Sequence, residues 1–130
     1  LTSYETPKRR VEGAGSAHKG AGAWIKERVS SIALVPLTIW GLWSATVIAG
    51  GGADGATAWL RQPLNASLLA VTVLASLYHM QLGLKVVVED YVHRPFTKGL
   101  CLLLNLFLCL ALAAVALLAI LKVAVLGGGV

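Results

Sequence analysis

Three long runs without a charged residue divide the chain: Val29–Ala49, Leu64–Leu84 and Gly99–Leu121. Each reaches the roughly 20 apolar residues that, as an α-helix, cross a hydrocarbon core of about 30 Å. The pattern predicts an all-α membrane protein of three transmembrane helices, with spans near 29–49, 64–88 and 99–122. A polar N-terminal tail, residues 1–22, precedes a membrane domain, residues 23–130. The tail is rich in Gly, Ala, Lys and Arg, and is expected to be extended or poorly ordered. No cleavable signal peptide is expected, because the early residues are polar.

Breakers and interfacial residues refine this picture. Pro36 falls inside the first span and is expected to kink it, which a packed bundle tolerates. The glycine-rich stretch 50–55 (GGGADG) reads as the outer turn, since neither a preceding strand nor a following GKS or GKT makes it a phosphate loop. The second helix should run from about Asn65 to Asp90, with Pro95 closing the inner loop. Trp24 and Trp59 sit near span ends, where amphipathic rings favour the interface. The third helix is almost wholly Leu, Ala and Val, with Asn105 its one amide, and reads as packing and lipid contact. Cys101 and Cys109 are too far apart along one helix for a disulfide and read as small core residues.

Charge adds orientation. Hydrophobic residues make up 57% of the chain and charged ones 13%, about half the share of a soluble domain, yet the net charge is +5. Six of the 11 Lys and Arg precede the first span (Lys8, Arg9, Arg10, Lys19, Lys26, Arg28) and three flank the second loop (Lys85, Arg94, Lys98). Only Arg61 and Lys122 fall on the opposite side. The positive-inside rule then places the N-terminus in the cytoplasm and the C-terminus outside. The basic excess is a topology signal, and no nucleic-acid partner is expected.

The candidate chemistry lies in HMQLGLKVVVEDYVHRP, residues 79–95. An ionisable side chain at membrane depth is costly and is a candidate for function. His79 falls in the inner half of the membrane by residue count. At 100° per residue, Thr72, Ala75, Ser76, Gly83 and Val86 share its helix face, and most are small. They leave a hollow that a porphyrin or another helix could fill. Three readings compete: a hydrogen bond to a neighbouring helix, a proton relay, and an axial haem ligand. Neither His18 nor His93 lies at the same depth, so a bis-imidazole haem would need a histidine from another chain.

Asp90 is 11 residues after His79, on the same face and about 16 Å lower. Tyr91 is turned a further 100°. A carboxylate at a helix C-terminus opposes the dipole, so compensation is expected from Arg94, Lys98, Arg28 or a partner. A phenol there can donate a hydrogen bond to a quinone carbonyl. Arg28 could pair with a haem propionate through its guanidinium fork, and Ser30 and Ser31 offer hydroxyls at the same level.

The spacing His79–x3–Gly83–x6–Asp90–Tyr91–Val92–x2–Pro95 resembles the signature of the small membrane-anchor subunits of succinate dehydrogenase, the D subunits of respiratory complex II. The three-span layout is similar too, as is Arg28–Val29–Ser30–Ser31 at the start of the first span. The composition is most like alphaproteobacterial members. The resemblance covers roughly residues 24–122. It implies that His79 is an axial ligand of a haem b, whose second ligand comes from the companion cytochrome b subunit. It implies ubiquinone binding by Tyr91 with Asp90 beside it, and haem propionates near Arg28 and Ser31. Some relatives carry a His six residues before that Arg; here the position is Gly22, and His18 is out of register. The implied role is to anchor a flavoprotein and an iron–sulfur subunit to the inner face of a bacterial cytoplasmic membrane, in preference to a mitochondrial inner membrane. The chain holds no complete active site. Two alternatives are the anchor of a fumarate reductase-type complex and a cofactor-free structural or assembly subunit.

Overall fold

A computed structural model describes residues 17–127, with side chains from residue 21 onward. Three helices account for nearly all of it: α1 (Ala17–Leu60), α2 (Pro63–Tyr91) and α3 (Pro95–Leu126). All three are long and apolar enough to cross a membrane. The protein is a multi-pass membrane protein. Helix α2 lies between the others, packing on α1 along one side and on α3 along the other, while α1 and α3 touch little.

The helices outrun their apolar cores, most of all at the N-terminal end of α1. This helix begins at Ala17, inside the stretch expected to be extended; the rest of that expected tail, residues 1–16, lies outside the described residues. Lys26, Glu27 and Arg28 are therefore helical residues well inside α1, although the uncharged span begins only at Val29.

At its other end α1 is broken at Gly52 (φ 62°, ψ −161°), a backbone state open essentially to glycine alone. Pro36 keeps helical dihedrals, and the one non-helical residue inside α1 is Gly52. The chain turns back there. Trp40 and Trp59 have ring centroids 5.7 Å apart, whereas 19 steps along a straight helix would separate them by about 28 Å. The glycine-rich stretch is thus a turn, but one residue makes it, and helix resumes on both sides.

The two remaining connections are short and capped by proline. Pro63 starts α2 and Pro95 starts α3, positions where the missing N–H costs nothing. Asn65 Nδ2 donates to the Trp59 carbonyl at 3.0 Å, satisfying an orphan acceptor of the preceding helix end. At the close of α3, Gly127 adopts the left-handed cap (φ 67°), and a Cβ there would overlap the Arg61 guanidinium. That cation lies where the dipole of α3 favours positive charge.

The interior is the reverse of a soluble core. The buried residues are Ser30, Ser44, Asn105 and Cys109, all small or polar, while most Leu, Val and Ile side chains face outward. Lipid is as apolar as Leu, so helices in a bilayer associate through close approach and hydrogen bonds rather than by burying oil.

Candidate functional site

His79 projects from the middle of α2 toward α1. Its Nδ1 lies 3.0 Å from Ser30 Oγ, a contact across the α1–α2 seam. Ser30 is 7% exposed, and its hydroxyl also lies 2.9 Å from the Glu27 carbonyl, one turn back on its own helix. Ser31 makes a similar bond to that carbonyl at 2.7 Å. Serines bonding back to the preceding turn are common in apolar helices, where no water competes.

Beside the imidazole is an open hollow of about 410 Å³, lined by His79 and, on α1, by Ser31, Leu34, Val35, Thr38 and Ile39. A Cβ added at Gly83, on the histidine face of α2, would meet nothing within 4 Å. The hollow itself, however, is walled by α1, and none of Thr72, Ala75, Ser76, Gly83 or Val86 lines it. Among the described residues no cluster of three His, Cys, Asp or Glu assembles.

The register of α1 against α2 revises the expected levels. Ser30 and Ser31 were expected beside Arg28 at the inner interface, below His79. Instead Ser30 is level with His79, and Arg28 is only about 3 Å further inward along α1. The charged band (Lys26, Glu27 and Arg28 on α1, Lys85 on α2) therefore begins within one or two turns of the histidine. Ala23, Glu27, Lys85 and Glu89 line one small cavity between the two helices at this level. Arg28 turns away from α2, its Cζ 5.2 Å from the Trp24 ring centre, pointing inward along its own helix as a long helical side chain does.

Asp90 and Tyr91 close α2 and are exposed, Tyr91 at 79%. They share the helix with His79 but do not contact it; the rise between His79 and Asp90 is about 16 Å. Among the described residues neither makes a side-chain bond. The helix end is compensated elsewhere: Lys98 Nζ donates to the Glu89 carbonyl at 2.8 Å, and Lys85 pairs with Glu89 at 3.8 Å. Lys98 was one of the expected partners, but it serves the backbone instead of Asp90.

On the other side of α2, Asn105 Nδ2 donates to the Gln81 carbonyl at 3.0 Å, and Cys109 Sγ lies 3.6 Å from Asn105 Oδ1. The lone amide of α3 is thus a fastening to α2, a role beyond lipid contact. A bond from His79 to a neighbouring helix was one of the readings open from sequence, though Ser30 was not named as its partner; the Asn105–Gln81 bond was missed. The first had a signal, since each partner is a polar residue inside an apolar helix and must be satisfied.

Three apolar spans, with an imidazole beside an open hollow and a phenol with a carboxylate at one rim, define a class: small multi-pass membrane proteins carrying polar side chains within and at the edge of the bundle. The particular family follows from comparison. Residues 2–121 match the family described as Succinate dehydrogenase/Fumarate reductase transmembrane subunit, and the chain belongs to it. A succinate dehydrogenase hydrophobic membrane anchor subunit from Rickettsia conorii is 30% identical over 107 residues, covering 81% of this chain and 85% of that protein. The protein of the same name from Rickettsia bellii is 30% identical over 106 residues, with the same coverage of both chains. Its counterpart in Paracoccus denitrificans is 30% identical over 88 residues, 68% of each chain. No solved structure matches.

Proposed function

We propose that this chain is the hydrophobic membrane anchor subunit of a bacterial succinate dehydrogenase. It holds a flavoprotein subunit and an iron–sulfur subunit to the cytoplasmic face of the inner membrane, pairing there with a cytochrome b subunit. The observation that carries the reading is His79: an imidazole engaged through one ring nitrogen, beside an open hollow, in the middle of a helix long and apolar enough to cross a membrane.

The residues present fit a haem b. His79 would offer Nε2 as one axial ligand, and the companion cytochrome b subunit would supply the other. The hollow's wall is mostly aliphatic, with the Ser31 and Thr38 hydroxyls as its polar members. Arg28, less than a turn inward of Ser30, would meet the propionates with its guanidinium, near Ser31. When bound, the haem supplies a one-electron carrier within the membrane.

Tyr91 is the residue for ubiquinone. Its phenol O–H donates to a quinone carbonyl, stabilising the charge that develops on the oxygen during reduction. Asp90 beside it orients the phenol or holds the proton to be delivered. Both side chains are exposed at the inner end of α2 and open to the partner subunits that would complete the pocket. Succinate oxidation proceeds in the flavoprotein, so this chain belongs to an oxidoreductase complex without carrying its catalytic core. The family name also spans fumarate reductases, but the relatives described above are succinate dehydrogenase subunits, which favours the succinate-oxidising direction.

The test separates electron delivery from succinate oxidation. In the purified complex, Tyr91→Phe is expected to slow ubiquinone reduction by about 10-fold or more, the scale of losing one transition-state hydrogen bond donor. Succinate oxidation with a soluble artificial acceptor should be unchanged. Equal loss in both assays would mean misassembly and would remove the quinone role from Tyr91.

A further inference from the structure

We infer that Ser30 is the positioning residue for His79, fixing the imidazole in the tautomer that leaves Nε2 bare. A serine hydroxyl has one proton to give. At 2.9 Å the Glu27 carbonyl takes it, so what Ser30 presents to His79 is a lone pair. The 3.0 Å contact is then a bond in which Nδ1–H donates and Oγ accepts. The neutral ring carries a single proton, and with that proton on Nδ1 its other nitrogen is an acceptor only. The opposite polarity, with Ser30 donating to Nδ1, would put the proton on Nε2 and close that nitrogen to any metal.

Several features make this more than a fortuitous contact. Ser30 is among the few buried residues of the described chain, at 7% exposure, so its hydroxyl is shielded within the α1–α2 seam. The hydroxyl is anchored by its own helix, so its lone pair is aimed before the histidine arrives. The hollow lies beside the ring and is bordered by Ser31 rather than by Ser30. One helix thus supplies both the fastening for Nδ1 and the wall of the space that Nε2 would address. Ligating histidines characteristically give their second N–H to an oxygen acceptor, which fixes ring orientation and raises the basicity of the ligating nitrogen. Here that acceptor comes from the first helix and the ligand from the second, so correct seating of α1 on α2 prepares the ligand.

This inference rests on the haem reading of His79, and the experiment tells the two apart. Purified complex is prepared with wild-type chain and with Ser30→Ala, Ser30→Cys, Ser30→Thr and His79→Ala. Three quantities are read: haem transfer to apomyoglobin, the midpoint potential of the b haem, and its low-temperature EPR g-values. With Ser30→Ala the haem affinity should fall about 10- to 100-fold. The potential should rise, because a less basic imidazole stabilises the ferric state less, and the highest g-value should shift as the ring is freed to rotate. Ser30→Cys, a weak acceptor, should fall between, and Ser30→Thr should match wild type. If the alanine variant does not assemble, the Cys and Thr pair decides the matter, with equal potentials overturning the inference. Ser30→Ala with wild-type affinity, potential and g-values also overturns it, while loss of the haem signal in His79→Ala leaves the ligand assignment standing. An unaltered haem spectrum in assembled His79→Ala overturns both.

Discussion

Helix α2 meets α1 along one side and α3 along the other, and the two seams treat their polar groups differently. Toward α3, Asn105 gives one N–H to the Gln81 carbonyl and receives Cys109 on its oxygen, beside a mostly apolar hollow of about 250 Å³. Toward α1, Ser30 engages one nitrogen of His79 and leaves the other uncommitted beside open space. Both seams use a polar pair to hold helices that have no hydrophobic reason to associate in lipid. Both seams border hollows, but only the α1 seam leaves an imidazole nitrogen without a bond among the described residues. A fully satisfied buried pair specifies structure, whereas a half-satisfied one that persists in a membrane points to a missing ligand.

The contrast can be broken at four points. His79→Ala should have the largest effect: loss of the b-type absorption from the purified complex, with α1–α2 packing weakened only slightly. Retention of the spectrum would put both seams in the same structural category. Cys109→Leu places a larger side chain at the α3 seam, where Cys109 is 6% exposed but borders a hollow of about 250 Å³; it should cost at most about 1–3 kcal/mol in denaturant unfolding of the membrane domain, the usual cost of overpacking. Asn105→Ala removes one interhelical bond and should cost about 0.6–1.7 kcal/mol in the same measurement, leaving the haem spectrum alone. Gly83→Ala should be smallest, within about 0.5 kcal/mol of wild type, as the added methyl enters open space. Destabilisation as large as that of Cys109→Leu would show that the α1 seam is packed shut.

The three helices were legible because uncharged runs of that length have almost no other use. The turn at the glycine-rich stretch was legible as well, though not that Gly52 alone would make it while its neighbours stayed helical. The N-terminal end of α1 was misjudged for a physical reason. Charge marks where lipid ends, but a helix continues through charge when i,i+4 spacing and a neighbouring helix support it. Placing Arg28 at a helix start put Ser30 at the wrong level, and the Ser30–His79 bond could not then be seen. Asn105 was recognised as an oddity, but its partner is a backbone carbonyl, which no pattern of side chains reveals. Asp90 and Tyr91 were placed at the end of their helix by counting, and they are there; what they touch depends on chains outside this one.

No proline interrupts α2 between His79 and Tyr91, and only three residues separate its end from the start of α3. Lys98 clasps the Glu89 carbonyl across that bend. Such a segment behaves mechanically as a stiff rod with a braced foot. A subunit pressing on the foot displaces the whole rod, and the imidazole more than ten residues above travels with the phenol. The two positions are therefore tuned together during assembly, as the two ends of one lever.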